Sequence, residues 1–228
     1  MWNGKLKAVT FSFDDGVLQD VRAIKILDKY GLKGTFNLNS GYFGTYTKNN
    51  YATYVKVDAQ VVKDIYAGHE VAAHTLTHPY LLDLDENGII WQVEKDREIL
   101  SELCGYEVVG LAYPGREFNS DDRVASIIKN NTGIKYARTN TNTYNFDLQE
   151  NYYRLNPTVP ANSPDCFEVA KKFIQAKAEK PQLLYAWGHT YEFDGVYVDW
   201  IKFEEFCEFL SNRDDVFYGT NKEVLLWC

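Results

Sequence analysis

Ala8-Val9-Thr10-Phe11-Ser12-Phe13 runs straight into Asp14-Asp15-Gly16, so a mostly apolar stretch closes on two adjacent carboxylates and a glycine. A short run of this kind, bounded by a turn dipeptide, reads as a buried strand over residues 8–13 that ends in a tight turn. The chain downstream repeats the theme. Residues 17–30 carry Val17, Val21, Ile24 and Leu27 at helical spacing, and Gly31 stands where a helix C-cap belongs. Residues 35–38 read as a second strand, Asp58 as the cap of a helix through Ala67, and residues 70–73 as a third strand.

The alternation continues to the end of the chain. Asp85 caps a long helix that ends near Cys104-Gly105, and residues 108–112 form a strand. Ser120 caps a helix over 121–130, and 135–138 is a short strand. The polar segment 140–151 reads as a surface loop. Ser163-Pro164 opens a helix with proline in its first turn. Residues 182–187 are a strand, 199–212 a helix and 216–218 a strand, and Thr220 caps a last short helix. Strand-then-helix units in series predict an α/β fold, a parallel sheet with helices outside. About seven such units favour a closed or nearly closed barrel, as a single domain over residues 1–228. No dinucleotide fingerprint and no phosphate loop follow the first strand, which disfavours a nucleotide-binding fold.

Composition narrows the partners. The chain has 228 residues, 45% of them hydrophobic, enough for a substantial core. Its net charge of −8 argues against sequence-independent nucleic-acid binding and against holding an anionic membrane surface. A neutral or cationic substrate fits better. The four cysteines, Cys104, Cys166, Cys207 and Cys228, are scattered and form no Cys-x-x-Cys pair, so no disulfide framework is implied. No apolar signal segment precedes the first strand, and no run is long enough to span a bilayer, so a cytoplasmic protein is the expectation. The oligomeric state is left open.

Polar clusters fall just past three predicted strands: Asp14-Asp15, then His74 and His78, then His189. In a parallel barrel all strand C-termini open on one face, so these clusters meet there. Two adjacent carboxylates repel each other in a low dielectric, and a divalent cation would relieve that. Neighbouring residues of an extended chain point in opposite directions. One aspartate can therefore ligate a metal while the other faces a reacting water; the bland alternative is a solvated Asp-Gly turn. His74-Thr75-Leu76-Thr77-His78 places two imidazoles four apart, and on one helical turn they would share a face. Two imidazoles plus a carboxylate suit zinc and leave open positions. Co²⁺, Ni²⁺ and Mn²⁺ also accept such ligands. His189, in Tyr185-Ala186-Trp187-Gly188-His189-Thr190, has the chemistry of a proton shuttle. His69 reads as structural.

Together these segments resemble the polysaccharide deacetylases of the NodB-homology type, carbohydrate esterase family four. Thr10-Phe11-Ser12-Phe13-Asp14-Asp15-Gly16 looks like that family's Thr-Phe-Asp-Asp-Gly motif. His74-Thr75-Leu76-Thr77-His78 matches its His-Ser/Thr-x-x-His motif. Leu111-Ala112-Tyr113-Pro114-Gly115 sits where an Arg-x-Pro-Tyr motif should be, and the strand ending at His189 looks like the late histidine strand. The resemblance implies a distorted (β/α)7 barrel and a metal-dependent hydrolase that removes N-acetyl groups from a carbohydrate, such as a glycan containing N-acetylglucosamine. It implies Asp14 as general base and Asp15, His74 and His78 as ligands of a divalent metal, usually Zn²⁺. That metal would polarise the acetyl carbonyl and acidify water. His189 would be the acid toward the leaving amine, and the Gly115 N–H a donor to the oxyanion.

Two departures stand out. The third-motif arginine, which in the family pairs with the catalytic aspartate, is Ala112 here; Arg116 or Arg138 can replace it from elsewhere in space. The fourth motif, Asp-x-x-Asp-Trp, is not found between Gly115 and Leu183, and Asp199-Trp200 comes too late to carry its role. The group that orients His189 is therefore not identified by sequence. Aromatic residues Tyr42, Phe43, Tyr46, Tyr80, Tyr113, Trp187 and Tyr191 fall near the predicted rim. Of these, Tyr113 and Trp187, with Arg138, are assigned to the substrate side of the cleft. Two alternatives keep the same segments: an O-acetyl ester or small-amide hydrolase, and a sugar-binding relic that has lost catalysis.

Overall fold

The computed structural model describes residues 1–48, 53–116, 118–195 and 198–227. Strand β1 (Lys7–Asp14) is buried along its whole length. Its alternation sorts the side chains by face. Val9, Phe11 and Phe13 join the apolar layer between sheet and helices, where the Phe11 and Phe13 rings meet Phe203 edge-on at 6.2 and 5.8 Å. Thr10, Ser12 and Asp14 take the opposite face. Helix α1 (Asp20–Lys29) follows, then β2 (Gly34–Leu38), a hairpin of β3 (Tyr46–Lys48) and β4 (Thr53–Val55), a short α2 (Val62–Ile65) and β5 (Glu70–Ala73). The order continues with α3 (Glu86–Cys104), β6 (Gly110–Ala112), α4 (Asp122–Asn131), β7 (Tyr136–Arg138), β8 (Val159–Pro160), α5 (Cys166–Gln175), β9 (Gln182–Gly188), α6 (Trp200–Leu210), β10 (Val216–Tyr218) and α7 (Asn221–Leu225).

The expected distorted (β/α)7 barrel is what forms. Seven parallel strands curl in the order β7-β6-β5-β2-β1-β9-β8. β10 pairs with the first residues of β1 on the side where β2 pairs with the last ones. Four residues before β8, Leu155 bridges to Arg138 of β7, donating its N–H to Ala137 O at 2.9 Å and accepting from Thr139 N at 2.8 Å. The stretch 155–160 thus contacts β7 at one end and β9 at the other, which brings the two sides of the curled sheet together.

The barrel interior below the strand ends is polar and largely internally hydrogen-bonded, the Tyr185 hydroxyl being an exception. Thr10 Oγ1 donates to Asn221 Oδ1 at 2.9 Å, and the Asn221 N–H donates to Thr35 Oγ1 at 2.8 Å. Glu70 accepts from Thr35, from Tyr136 OH and from the Lys222 N–H, each at 2.8 Å. Burial of such groups is tolerated because each finds partners. Beneath this layer Trp2, fully buried, plugs the barrel among Ala8, Val109, Leu183 and Leu225 and donates its indole N–H to Val224 O at 3.0 Å.

Several local expectations are corrected. The cap of α4 is Asp121, which accepts from Val124 N at 2.8 Å, rather than Ser120. Helix α5 starts at Cys166, after a turn in which the Cys166 N–H bonds Ser163 O at 3.1 Å, so Pro164 lies outside it. The helix expected from Asp58 to Ala67 is a 3₁₀ turn, Ala59–Val61, leading into one turn of α2. The β3–β4 hairpin has no counterpart in the sequence reading. Cys104, Cys166 and Cys207 are buried free thiols, and Cys228 lies outside the described residues. Among the described residues no helix is long and apolar enough to cross a membrane.

Candidate active site

The three polar clusters do converge at the C-terminal ends of the strands. Asp14 is the last residue of β1, and the chain then turns through Asp15 (φ 84°) and Gly16 (φ 61°). A side chain at Gly16 would also strike Leu38, its Cβ lying 2.6 Å from Leu38 Cδ2, so the turn requires glycine on two counts. The adjacent aspartates therefore diverge because the backbone bends into a left-handed conformation, not because the strand continues. His74 and His78 likewise do not share a helical turn. They sit in a loop kinked by positive φ at Thr75 (67°) and His78 (53°), which brings the two rings to 4.9 Å between centroids.

One donor atom each from Asp15, His74 and His78 lies within 4.8 Å of the others. The chemistry of this set suits a divalent cation. His74 Nδ1 faces Ala112 O at 2.8 Å; a carbonyl can only accept, so Nδ1 carries the proton and Nε2 keeps its lone pair. Burial, against the pull of Asp14, lowers the His74 pKa to about 4, and burial also lowers that of His78, so both imidazoles are neutral at neutral pH. For Asp15 burial acts upward, but Lys56 and the three neighbouring histidines outweigh it and hold the carboxyl well below the usual aspartate range.

Asp14 is 3% exposed, and its Oδ1 is tied twice. Asn37 Nδ2 donates to it at 2.8 Å, and Arg138 Nη2 donates to the same oxygen. Burial raises the Asp14 pKa, but Arg138, His74 and His189 more than offset it, and the group is held as a carboxylate. Of the two arginines considered for pairing with Asp14, Arg138 is the one that does so. It does not stand on the substrate side: it is 1% exposed. Its Nε donates to Ser12 Oγ at 3.1 Å and its Nη1 to Thr139 O at 2.9 Å. The Trp187 ring lies over the guanidinium, 4.8 Å away. Burial and three hydrogen bonds leave it no free face for a ligand.

A cleft of about 640 Å³ opens above these groups. Asp14, Asp15, His74, His78 and His189 line it together with Tyr113, Gly115, Arg116, Asn140 and Trp187. The hairpin side supplies Thr47, Tyr54 and Lys56, next to Tyr42 and Tyr191. Tyr54 and Tyr191 stack at 4.5 Å between centroids, and Tyr191 stacks in turn on His189 at 5.0 Å. Gly115 (φ 106°) passes beneath Tyr80, whose ring would lie 2.8 Å from any Cβ there.

His189 Nε2 lies 3.8 Å from Asp15 Oδ2. The partner that sequence did not supply is Glu192, three residues on. Glu192 Oε2 accepts from the His189 backbone N–H at 3.0 Å, and Oε1 lies 3.4 Å from the ring Nδ1, an ion-pair separation off the axis of a hydrogen bond. Burial opposes protonation of His189, but Glu192, Asp15 and Asp14 prevail and raise its pKa to about 9. Asp199, which carries the Asp-Trp dipeptide, caps α6 through a bond from Lys202 N at 2.9 Å. Other supporting residues also escaped the sequence reading. Asp96, on the buried side of α3, accepts from the backbone N–H of His74 at 3.0 Å and from Ser40. Asn39 Nδ2 spans His74 O and Thr75 O at 2.6 and 2.9 Å. The one visible signal was the alternation Phe36-Asn37-Leu38-Asn39, one amide inside an apolar strand and a second just past its end. His69 is structural, its Nδ1 accepting from Gly34 N at 3.1 Å.

Comparisons with known proteins agree with this picture. The Streptococcus pyogenes deacetylase PplD, solved in complex with acetate, shares 21% identity at a TM-score of 0.53 over 64% of this chain and 62% of its own. The peptidoglycan N-acetylglucosamine deacetylase Bc1960 shares 16% at a TM-score of 0.60, covering 96% of this chain and 88% of its own. A mutant of BA3943, described as a CE4 family pseudoenzyme with restored enzymatic activity, shares 18% at 0.59, covering 96% and 67%. This chain thus spans less than two thirds of the PplD structure. At these identities the likeness speaks to the fold. No curated protein matches the chain by sequence. The family model for polysaccharide deacetylases matches residues 3–137, more than half of the chain, and on that ground the chain belongs to the polysaccharide deacetylase family.

Proposed function

We propose that this protein is a metal-dependent hydrolase that removes N-acetyl groups from a carbohydrate containing N-acetylglucosamine. The observation that carries the reading is the convergence of Asp15, His74 and His78 beside a carboxylate, Asp14, with one oxygen tied by two donors and the other left for chemistry. A divalent cation held by Asp15, His74 and His78 supplies Lewis acidity, polarising an acyl carbonyl and making water more acidic.

The remaining work belongs to the protein. With Oδ1 bonded to Arg138 and Asn37, Asp14 offers Oδ2 as the base that takes a proton from the attacking water. Gly115 lines the cleft, and its N–H is the proposed donor to the developing oxyanion; such a donor is worth about 3–4 kcal/mol. His189, kept protonated by Glu192 and the aspartates, delivers a proton to the departing nitrogen. Trp187 lines the cleft and offers ring surface to a sugar, whereas Tyr113, expected beside it, is 2% exposed and packed into the core with its OH donating to Tyr153 O at 2.7 Å, so it supports the wall and presents no ring face. A base and an acid, each held by its own partner, support an enzyme over a sugar-binding relic, because binding alone needs neither.

The test is metal analysis of the purified protein joined to an acetate-release assay on a panel of N- and O-acetylated sugars. Metal-dependent acetate release from an N-acetylated sugar supports the reading. Release only from O-acetyl sugars moves the function to an esterase.

A further inference from the structure

The two adjacent anions of the site each have their own cation. Arg138 serves Asp14, and Lys56 serves Asp15, its Nζ donating to Oδ1 at 2.8 Å. Lys56 follows β4 at the base of the hairpin, where it bridges to Val17 beside the Asp14-Asp15-Gly16 turn. Its ammonium also donates to Asp15 O at 2.6 Å and reaches Asn39 Oδ1 at 3.3 Å. The Tyr54 ring lies 5.4 Å away. An ammonium has three donors, and here they meet three acceptors. The residue is 4% exposed, so this is a built contact and not a surface lysine at rest.

Its place is at odds with a tight cation site. An imidazole holds a cation only in its neutral form, so Asp15 is the one anionic ligand of the set, and Lys56 opposes its charge. Lys56 also draws on Asp15 Oδ1, which disfavours two-oxygen binding of an ion and leaves Oδ2 as the oxygen without the lysine on it. Asn39 extends the arrangement to the histidine loop, because its Nδ2 holds the backbone oxygens of His74 and Thr75 while its Oδ1 faces Lys56. A single lysine thus fixes the position of Asp15 relative to His74 while opposing the charge of an incoming cation.

We propose that Lys56 is a positioning residue that sets the metal affinity of the site: it restricts Asp15 to one ligating oxygen and weakens the hold on the ion, which stays exchangeable. The inference rests on the reading of Asp15, His74 and His78 as metal ligands. Like-charge repulsion at a few ångströms in a partly buried site outweighs the freedom that one aspartate side chain regains when the lysine is removed.

The experiment is a Zn²⁺ titration against a chromophoric chelator for wild type, Lys56→Met, Lys56→Gln and Lys56→Arg. Lys56→Met and Lys56→Gln should bind Zn²⁺ more tightly by at least about tenfold. Lys56→Arg, which keeps the charge, should stay close to wild type. With Co²⁺ the visible absorption of Lys56→Met should weaken, because Asp15 can then offer both oxygens and raise the coordination number. Metal-free Lys56→Met should melt below wild type, with Asp15 left buried and unpaired. Equal or weaker Zn²⁺ binding by Lys56→Met overturns the proposal; if that variant does not fold, the same result in Lys56→Gln does. A wild type that binds no stoichiometric metal sinks the metal reading and this inference with it. A wild type that binds metal, loses it in His74→Ala, and is matched by Lys56→Gln sinks only the inference about Lys56.

Discussion

Arg138 and Asp14 are 124 residues apart in the chain and joined by a hydrogen-bonded ion pair under the floor of the cleft. The pair is buried on both sides, with 1% and 4% of the side chains exposed. Removing one partner of such a pair leaves an uncompensated charge. Arg138→Met should therefore lower activity while leaving metal content intact. The sign of the pH effect follows from the charges. The guanidinium lowers the Asp14 pKa, so its loss raises that pKa, and the acidic limb of the pH–rate profile should move to higher pH. An unmoved acidic limb would show that Arg138 does not tune the base.

His74→Ala and His78→Ala should each reduce bound metal from stoichiometric to near zero, because a site with three protein ligands tolerates little loss. Elemental analysis of the purified variants decides it. Full occupancy in the double variant would remove both histidines from the ligand set.

Asp14→Asn keeps size and polarity but cannot accept a proton from water. Metal should remain, held by Asp15, His74 and His78. Acetate release should fall by about two to four orders of magnitude, the usual cost of losing a general base. If wild type and Asp14→Asn are equally inert on every acetylated sugar yet both bind glycan, the binding-relic reading prevails.

Glu192→Gln removes the nearest support of the His189 imidazolium while sparing the backbone contact. With its pKa raised to about 9, His189 loses its proton only on the alkaline side. An acid must be protonated to act, so the variant's alkaline limb should lie below that of wild type measured with the same metal. The effect should be larger on an amide than on an activated ester, whose leaving group needs little protonation. Superimposed alkaline limbs would exclude Glu192 from this role.

Trp2→Ala empties the plug at the far end of the barrel. Trp2 is fully buried and hydrogen-bonded to Val224, so the loss should be about 3–5 kcal/mol of stability. Denaturant unfolding measures it. A shift under 1 kcal/mol would mean the end of the barrel collapses to fill the space.

The alternation of strands and helices was legible because each element carries its own period. Strand β5 and strand β10 fall where the residues predict, at Glu70–Ala73 and Val216–Tyr218, and α3 ends at Cys104 with Gly105 left-handed as its composition requires. The elements that escaped are those with weak local signals. The three-residue strands of the hairpin are too short to show a period, and β8 is two residues long. The cap of α4 was misplaced by one residue because Ser120 and Asp121 are both good caps, and only the observed bond to Val124 N separates them.

By itself the sequence determined most of the strand-and-helix order, the parallel barrel, and the chemical groups gathered at Asp14, Asp15, His74, His78 and His189. These follow from local periodicity and from residue types crowded within a few positions of strand ends. Tertiary structure alone decided what holds those groups: Arg138 and Asn37 on Asp14, Lys56 on Asp15, Asp96 and Asn39 on the His74 loop. Even Glu192, only three residues from His189, was not legible, because an acidic residue in a polar loop looks like any other until the turn brings it back. The reason is physical. A supporting residue needs only a donor or acceptor at the right point in space, and many residue types at many sequence distances supply one. Pairings such as Lys56 with Asp15 and Arg138 with Asp14 exist only once the barrel has brought distant strand ends onto one face.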